Sequence, residues 1–74
     1  MNLLEIGETI KKLRKERGYS QEELAKMANI SRPTLSKLEN GLLAKVSLAT
    51  FLNILRILGH DIEIVPFNPF KRDF

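Results

Sequence analysis

The fold of this chain is decided by residues 20–41, SQEELAKMANISRPTLSKLENG, which contain the start signals of two short helices in quick succession. Ser20 and Glu23 have the spacing of a capping box at the start of the first helix. Ser31 caps the second helix, and Pro33 lies in its first turn, where no backbone donor is missed. The stretch therefore predicts a helix, a tight turn and a second helix that begins with exposed polar residues.

A further helix is predicted on each side of this stretch. The first runs over about residues 4–17 and is ended by Gly18, whereas the last begins after Ser47 and is closed by Gly59. Asn29 suits the left-handed backbone of the central turn. Apolar residues at spacings of three and four predict one inward stripe on each helix. The stripes comprise Leu3, Ile6, Ile10 and Leu13; Leu24, Ala25 and Ala28; Leu35 and Leu38; and Leu48, Phe51, Leu52, Leu55 and Leu58.

Residues 61–66 differ from the helical part, because Ile62, Ile64 and Val65 are β-branched and Glu63 alternates with the isoleucines. This is the only strand-like segment of the sequence, so its backbone groups have no partner strand within one chain. We expect the same strand of a second copy to pair with it, antiparallel across a two-fold axis. An extended tail packed on its own domain is the alternative.

Two other apolar features bear on assembly. Ile54 and Ile57 widen the apolar surface of the fourth helix beyond what a small core needs. Dimerisation through that helix is therefore an alternative to dimerisation through the strand. The tail, residues 67–74, contains three of the four phenylalanines. These aromatic residues cover the dimer contact, dock on another protein or fray, and the sequence leaves all three alternatives open.

Length and composition exclude several classes of protein. A chain of 74 residues without cysteine is expected to form one domain with a small core, which oligomerisation would support. With His60 as the one histidine, neither a metal site nor a catalytic nucleophile–base pair is expected, and hence no enzyme and no cofactor. No apolar run approaches the roughly 18 residues of a membrane span. We therefore expect a cytoplasmic, nucleoid-associated protein without a membrane partner.

Positive charge is concentrated in the first part of the sequence. Residues 1–45 contain nine Lys/Arg and six Asp/Glu, whereas residues 46–74 contain three of each. The excess of +3 therefore lies in the part of the sequence that contains the two central helices, as an electrostatic footprint for DNA binding requires. A solvated helix face explains the sign of the net charge equally well, so the location of the positive charge is the more informative observation.

Residues 5–58 resemble the helix-turn-helix domain of Cro/C1-type regulators, the XRE family. The likeness rests on Gln21 after the Ser20 cap, Leu24-Ala25, and the run from Leu35 through Leu38-Glu39-Asn40-Gly41. It implies a mostly all-α, four- to five-helix, lambda-repressor-like DNA-binding domain over residues 1–60. The dimerisation strand then covers residues 61–66 and the tail residues 67–74.

The second central helix supplies the candidate base-reading residues, Arg32, Pro33, Ser36 and Lys37. Arginine can donate two hydrogen bonds to guanine, a serine is a weaker reader, and the proline ring suits a thymine methyl group. Phosphate contacts are expected from residues at the helix ends and in the following loop. They are Gln21, Ser31, Thr34, Asn40 and Lys45, and for Lys45 a solvated position is the alternative. The resemblance also implies an ion pair between Arg14 and Glu39, with a second, phosphate-contacting role for Arg14.

Residues 34–40 and 57–64 narrow the resemblance to HipB-type antitoxins. This implies a homodimer that binds the palindromic operator of its own operon on double-stranded DNA and restrains a HipA-like Ser/Thr kinase toxin. A stand-alone repressor of phage or plasmid type and an interaction adaptor with little DNA binding remain as alternatives. The sequence names neither the operator nor the toxin.

Overall fold

The computed structural model describes residues 2–69, apart from the side chain of Lys45. Its elements are α1 (Leu3–Glu16), α2 (Gln21–Met27), α3 (Arg32–Glu39), a 3₁₀ turn (Leu43–Lys45) and α4 (Leu48–Ile57). No strand occurs in this described part of the chain. The prediction of a mostly helical fold with four helices is therefore confirmed.

A polar side chain caps the start of every α-helix. Asn2 caps α1, and Ser31 and Ser47 cap α3 and α4. At the start of α2, the hydroxyl of Ser20 accepts from the Glu23 amide at 3.0 Å, while the Glu23 carboxylate accepts from the Ser20 amide at 2.9 Å. The capping box predicted from residues 20–23 is thus present. These caps satisfy amides that have no partner within the helix.

The capping box also makes the start of α2 sensitive to acid. The hydrogen bonds from the backbone and the hydroxyl of Ser20 lower the pKa of the Glu23 carboxyl below its ordinary value. Their stabilising effect is present above that ordinary pKa and is lost as the pH falls through the lowered one.

Left-handed residues end the helices where the sequence predicted them. Gly18 has a φ of 73° after α1, and Asn29 has a φ of 57° in the turn between α2 and α3. Gly41 follows α3 with a φ of 88°, and a Cβ there would lie 3.1 Å from the Cα of Leu4. The turn after α3 therefore packs directly against the first turn of α1.

The core lies between the four helices. Every inward residue predicted for α2 and α3 is buried, and α1 and α4 contribute one and three apolar residues. The buried apolar residues are Ile10, Leu24, Ala25, Ala28, Leu35, Leu38, Ile54, Leu55 and Leu58. The short helix α3 is central, because it packs against both α1 and α2.

Three apolar residues do not lie where the sequence predicted them. Leu48 was expected in the core but is 68% exposed, and Leu3 is also exposed, since the first turns of α4 and α1 lie beyond the core. Ile54 was expected on a dimer surface but is fully buried. It lies three residues after Phe51 and four before Leu58, so it belongs to the inward stripe of α4.

The strand predicted for residues 61–66 is absent from the structure of the single chain. Residues 60–68 have no regular secondary structure, and residues 61–69 are exposed. One chain offers this segment no neighbouring strand, and a strand needs such a partner for its backbone hydrogen bonds. The part of the predicted tail from residue 70 onward lies outside the described residues.

Gly7 allows α1 to approach the end of α3 closely. It is buried in the middle of α1, and a Cβ added to it would lie 2.6 Å from the carbonyl oxygens of both Leu38 and Glu39. These atoms are backbone, so they cannot move aside without moving the helix. Glycine at this position therefore fixes the spacing of α1 and α3.

Replacing Gly7 with alanine should force α1 and α3 apart. We expect Gly7→Ala to lower the free energy of unfolding by about 1–3 kcal/mol, as overpacking does. In an unobstructed helix the same change raises stability by about 1 kcal/mol, so the sign of the effect is diagnostic. Urea unfolding measures it, and Glu8→Ala at the exposed neighbouring position is the control. A Gly7→Ala protein as stable as the wild type would contradict the close packing.

Candidate nucleic-acid interface

Helix α3 presents a polar outer face. Leu35 and Leu38 are fully buried and fix its inner side. On the opposite side, Arg32, Pro33 and Lys37 are exposed and Ser36 is half-buried. The structure thus brings together on one face the four residues that the sequence predicted as base readers, at spacings of one and four positions.

The hydroxyl groups at the start of α3 bind each other. Ser31 Oγ accepts from the Thr34 amide at 3.2 Å and lies 2.7 Å from Thr34 Oγ1. Each hydroxyl has one hydrogen to donate, and the bond between the two uses only one of them. One hydroxyl hydrogen therefore remains for an acceptor such as a phosphate oxygen.

The other predicted phosphate-contacting residues lie in different surroundings. Asn40 is exposed and donates through Nδ2 to the Ser36 carbonyl at 2.9 Å, which leaves its Oδ1 and second N–H outward. Gln21 is half-buried at the start of α2. The side chain of Lys45 lies outside the described residues, so its contact with a phosphate stays a prediction.

The leading end of α3 is electrostatically positive. The first turn of α2 contains Glu22 and Glu23, but the first turn of α3 contains no acidic residue. The exposed guanidinium of Arg32 therefore adds to the partial positive charge of the helix N-terminus without a neighbouring carboxylate in that turn. This arrangement favours an anionic partner.

A buried ion pair joins α1 to the end of α3. Arg14 donates from Nε to Glu39 Oε2 at 2.7 Å and from Nη2 to Oε1 at 3.2 Å. Its Nη1 donates to the carbonyl of Tyr19 at 2.8 Å, just before the cap of α2. Arg14 is 7% exposed and Glu39 is 4% exposed. The structure thus brings together the two residues that the resemblance paired.

The phosphate contact that the resemblance implied for Arg14 stays a prediction. All three nitrogens of its guanidinium group donate within the protein, and the side chain is buried between α1, α3 and the turn before α2. Nη1 and Nη2 each keep one further N–H, so these bonds do not use every donor of the guanidinium group. The burial of Arg14 and its three hydrogen bonds give it a structural role at this junction.

Two features of this junction were not predicted from the sequence. Gln21 Nε2 donates to Glu39 Oε1 at 3.0 Å, and Gly7 lies against the last carbonyl groups of α3. A sequence signal existed for the glycine. Gly7, Ile10 and Arg14 share one face at spacings of three and four, so a small residue and a charge both occupy core positions of α1.

The candidate dimerisation residues fall into two groups. Ile62, Glu63, Ile64 and Val65 are exposed, and Ile64 is 96% exposed. In α4, Ile57 is half-buried and packs against the core, while the burial of Ile54 removes it from any surface contact. Of the two predicted dimer surfaces, the C-terminal segment is the accessible one.

Neither metal binding nor a membrane span is indicated in the described part of the chain. Among residues 2–69, no group of three His, Cys, Asp or Glu side chains is placed to hold a metal ion. No helix in that range is long and apolar enough to cross a bilayer. His60 lies at the end of α4, where Nδ1–H donates to the Leu58 carbonyl at 2.8 Å.

Comparison with known proteins agrees with this geometry. Residues 10–65 match the family model described as helix-turn-helix. The chain is 38% identical over 58 residues to the HTH-type transcriptional regulator SinR of Bacillus subtilis and, equally, to that of Bacillus licheniformis. Each match covers 78% of this chain and 52% of the relative, so the chain spans about half the length of these regulators.

Solved structures show the same fold. A SinR–SinI protein complex matches with a TM-score of 0.65 and 38% identity, covering 76% of this chain and 54% of that one. The crystal structure of apo-HppE matches with a TM-score of 0.74 over 82% of this chain and 34% of the other. Its 21% identity makes it a likeness of fold alone.

Removing the buried carboxylate should destabilise the fold strongly. Glu39→Ala leaves the Arg14 guanidinium buried without its counter-charge, and we expect a loss of about 3–5 kcal/mol in the free energy of unfolding. Thermal unfolding followed by circular dichroism measures the change. Glu16→Ala, at an exposed position of α1, is the control and should change stability by less than about 0.5 kcal/mol. Melting of Glu39→Ala at the wild-type temperature would refute the structural assignment.

Proposed function

The chain belongs to the helix-turn-helix family, and from this premise we propose that it is a sequence-specific, DNA-binding transcriptional repressor of the Cro/C1 type. The observation that carries the proposal is the outer face of α3, where Arg32, Pro33, Ser36 and Lys37 lie together above a buried apolar side. A helix of this size fits the DNA major groove. The similarity to SinR, an HTH-type transcriptional regulator, supports the same conclusion.

The residues of this face differ in the base contacts that they can make. Arg32 and Lys37 are exposed donors suited to guanine O6 and N7, which present two acceptors in the major groove. Ser36 can donate to or accept from a base edge, and the ring of Pro33 is apolar and suits a thymine methyl group. These four residues carry base preference in the proposal.

The phosphate contacts fix the position of α3 without reading sequence. We assign them to the side chains around the ends of α3, Ser31, Thr34 and Asn40, together with Gln21 and Lys45. The hydroxyl hydrogen left over from the Ser31–Thr34 pair and the outward groups of Asn40 support this assignment. Each such contact contributes to affinity for all DNA sequences alike.

The proposed reader is a homodimer on a palindromic operator, with half-sites roughly 34–36 Å apart. Residues 61–66 form the contact in the proposal, since they expose Ile64 and Val65 and lie outside the core. Such apolar exposure is unfavourable in a monomer. Pairing with the same segment of a second copy would cover these side chains and supply the missing strand.

The segment itself restricts how two copies can pair. Centring the two-fold axis on Ile64 sets Glu63 opposite Val65, whereas centring it on Glu63 would place two carboxylates side by side. Antiparallel pairs alternate between hydrogen-bonded and non-hydrogen-bonded types. If the two Ile64 residues form a non-hydrogen-bonded pair, then Pro66 and the opposite Ile62 also form one. The hydrogen bonds between the strands therefore do not need the N–H that proline lacks.

We further propose that the repressor regulates its own operon as a HipB-type antitoxin and restrains a HipA-like kinase toxin. SinR has been solved in a complex with SinI, which supports a protein partner for a chain of this fold. The exposed Phe67, next to the proposed dimer strand, offers such a partner an apolar contact. A kinase-like gene beside this one distinguishes the antitoxin from a stand-alone repressor.

Gel retardation of the promoter fragment of its own gene tests the central proposal. A repressor retards this fragment more strongly than unrelated DNA, and its affinity falls steeply as salt rises. A protein-interaction adaptor would retard neither fragment, and that outcome would overturn the proposal.

Arg32→Ala should relax the base preference as well as lower affinity. We expect a loss of about 1–3 kcal/mol on the preferred operator and a reduced preference at one base position. Lys45→Ala should instead weaken binding to all sequences about equally. The control is Arg56→Ala, because Arg56 is an exposed arginine in the last turn of α4. Unchanged binding of Arg32→Ala across a salt titration would contradict the assignment of α3.

Truncation after Gly59 should convert the dimer to a monomer. Sedimentation of the full and truncated chains measures the change, and Ile64→Asp should have the same effect by placing two carboxylates across the two-fold axis. Asn53→Asp, at an exposed position of α4, is the matched control and should remain dimeric. A truncated chain that stays dimeric would move the interface to the surface of α4 that includes Ile57.

A further inference from the structure

The hydrogen bond between Gln21 and Glu39 links two elements that both belong to the proposed DNA interface. Gln21 is the first residue of α2, and Glu39 is the last residue of α3. Gln21 Nε2 lies 3.0 Å from Glu39 Oε1, which also accepts from Arg14 Nη2 at 3.2 Å. Because Arg14 already balances the charge of the carboxylate, the ion pair does not require this third donor.

The chemistry of the pair fixes the orientation of the glutamine amide. An ionised carboxylate has only acceptors, so Gln21 must present its Nε2–H to Glu39. A flip of the amide by 180° would place Oε1 against the carboxylate oxygen, which is repulsive. Within the described part of the chain the side chain of Gln21 makes no other hydrogen bond, and it is half-buried. Its second N–H and its Oε1 are therefore left for a partner outside the protein.

We propose that Glu39 is a positioning residue for DNA binding, which acts by holding the Gln21 amide in the orientation that contacts the DNA backbone. The proposal rests on the function proposed above. A side chain that is already held loses less conformational freedom when it binds. The bond also ties the Gln21 contact to the end of α3, so base-reading residues and this backbone contact move as one unit.

Gln21→Met removes the donor, keeps a side chain of similar length and leaves both Glu39–Arg14 bonds in place. We expect a nearly unchanged melting temperature and an affinity for the operator reduced about threefold to tenfold. The salt slope should not change, because a neutral amide neutralises no phosphate charge. Asn53→Ala, which removes an exposed amide from α4, is the control for affinity. An unchanged affinity for Gln21→Met would overturn the proposal.

The coupling to Glu39 is tested by repeating the substitution in a Glu39→Gln background. A glutamine at position 39 can accept or donate, so it no longer dictates the orientation of Gln21. We expect Gln21→Met to reduce affinity less than about twofold there, whereas an equal reduction in both backgrounds would show that Glu39 does not act through Gln21.

A measurement on the wild-type chain keeps the proposal testable if Glu39→Gln fails to fold. Gln21 is the only glutamine, so its side-chain amide gives one assignable pair of NMR signals. We expect an order parameter for this NH₂ group above about 0.6, and a lower one for the exposed amide of Asn53. Equal mobility of the two groups would overturn the proposal. If the wild type binds no DNA while Gln21 is rigid, the proposed function fails and the orientation by Glu39 stands.

Discussion

The buried contact between Arg14 and Glu39 is the constraint on which the arrangement of the helices depends. Two charges removed from water are costly unless their hydrogen-bonding groups are satisfied, so the surrounding chain must supply partners at fixed positions. Here the guanidinium joins α1 to the end of α3 and, through the carbonyl of Tyr19, to the turn before α2. Gln21 adds the first residue of α2 to the same carboxylate. A shift of any of these three helices would leave a buried polar group without a partner.

Close packing around this junction leaves the outer face of α3 free. Gly7 lets α1 approach the last carbonyl groups of α3, and the buried Leu35 and Leu38 hold the inner side of the helix. The polar residues from Arg32 to Lys37 make none of these contacts with the core. Substitutions among them are therefore expected to change the stability of the fold little.

The C-terminal segment, unlike the helices, does not pack into the core of the chain. Its apolar side chains, above all Ile64, are exposed in the single chain, and its backbone forms no strand in the described residues. The helical part is complete without this segment, since all nine buried apolar residues among residues 2–69 precede Gly59. The helices thus contain the proposed DNA interface, while the segment after Gly59 is available for contact with a second chain.

The sequence by itself determined the local structure, because capping and left-handed turns depend on residues only a few positions apart. The Ser20–Glu23 box, the left-handed Asn29 and the inward Leu35 and Leu38 are all where it predicted them. It also placed the polar residues of α3 on one outer face, since helical periodicity requires no knowledge of the neighbours.

Only the tertiary structure decided which residues meet across helices, because those contacts depend on the angle and spacing of the whole elements. The exposure of Leu48 and the bond from Gln21 to Glu39 follow from where α4 and α2 pack, not from their own sequences. For residues 61–66, even one folded chain does not decide the outcome. A strand needs a partner, and that partner lies outside the chain.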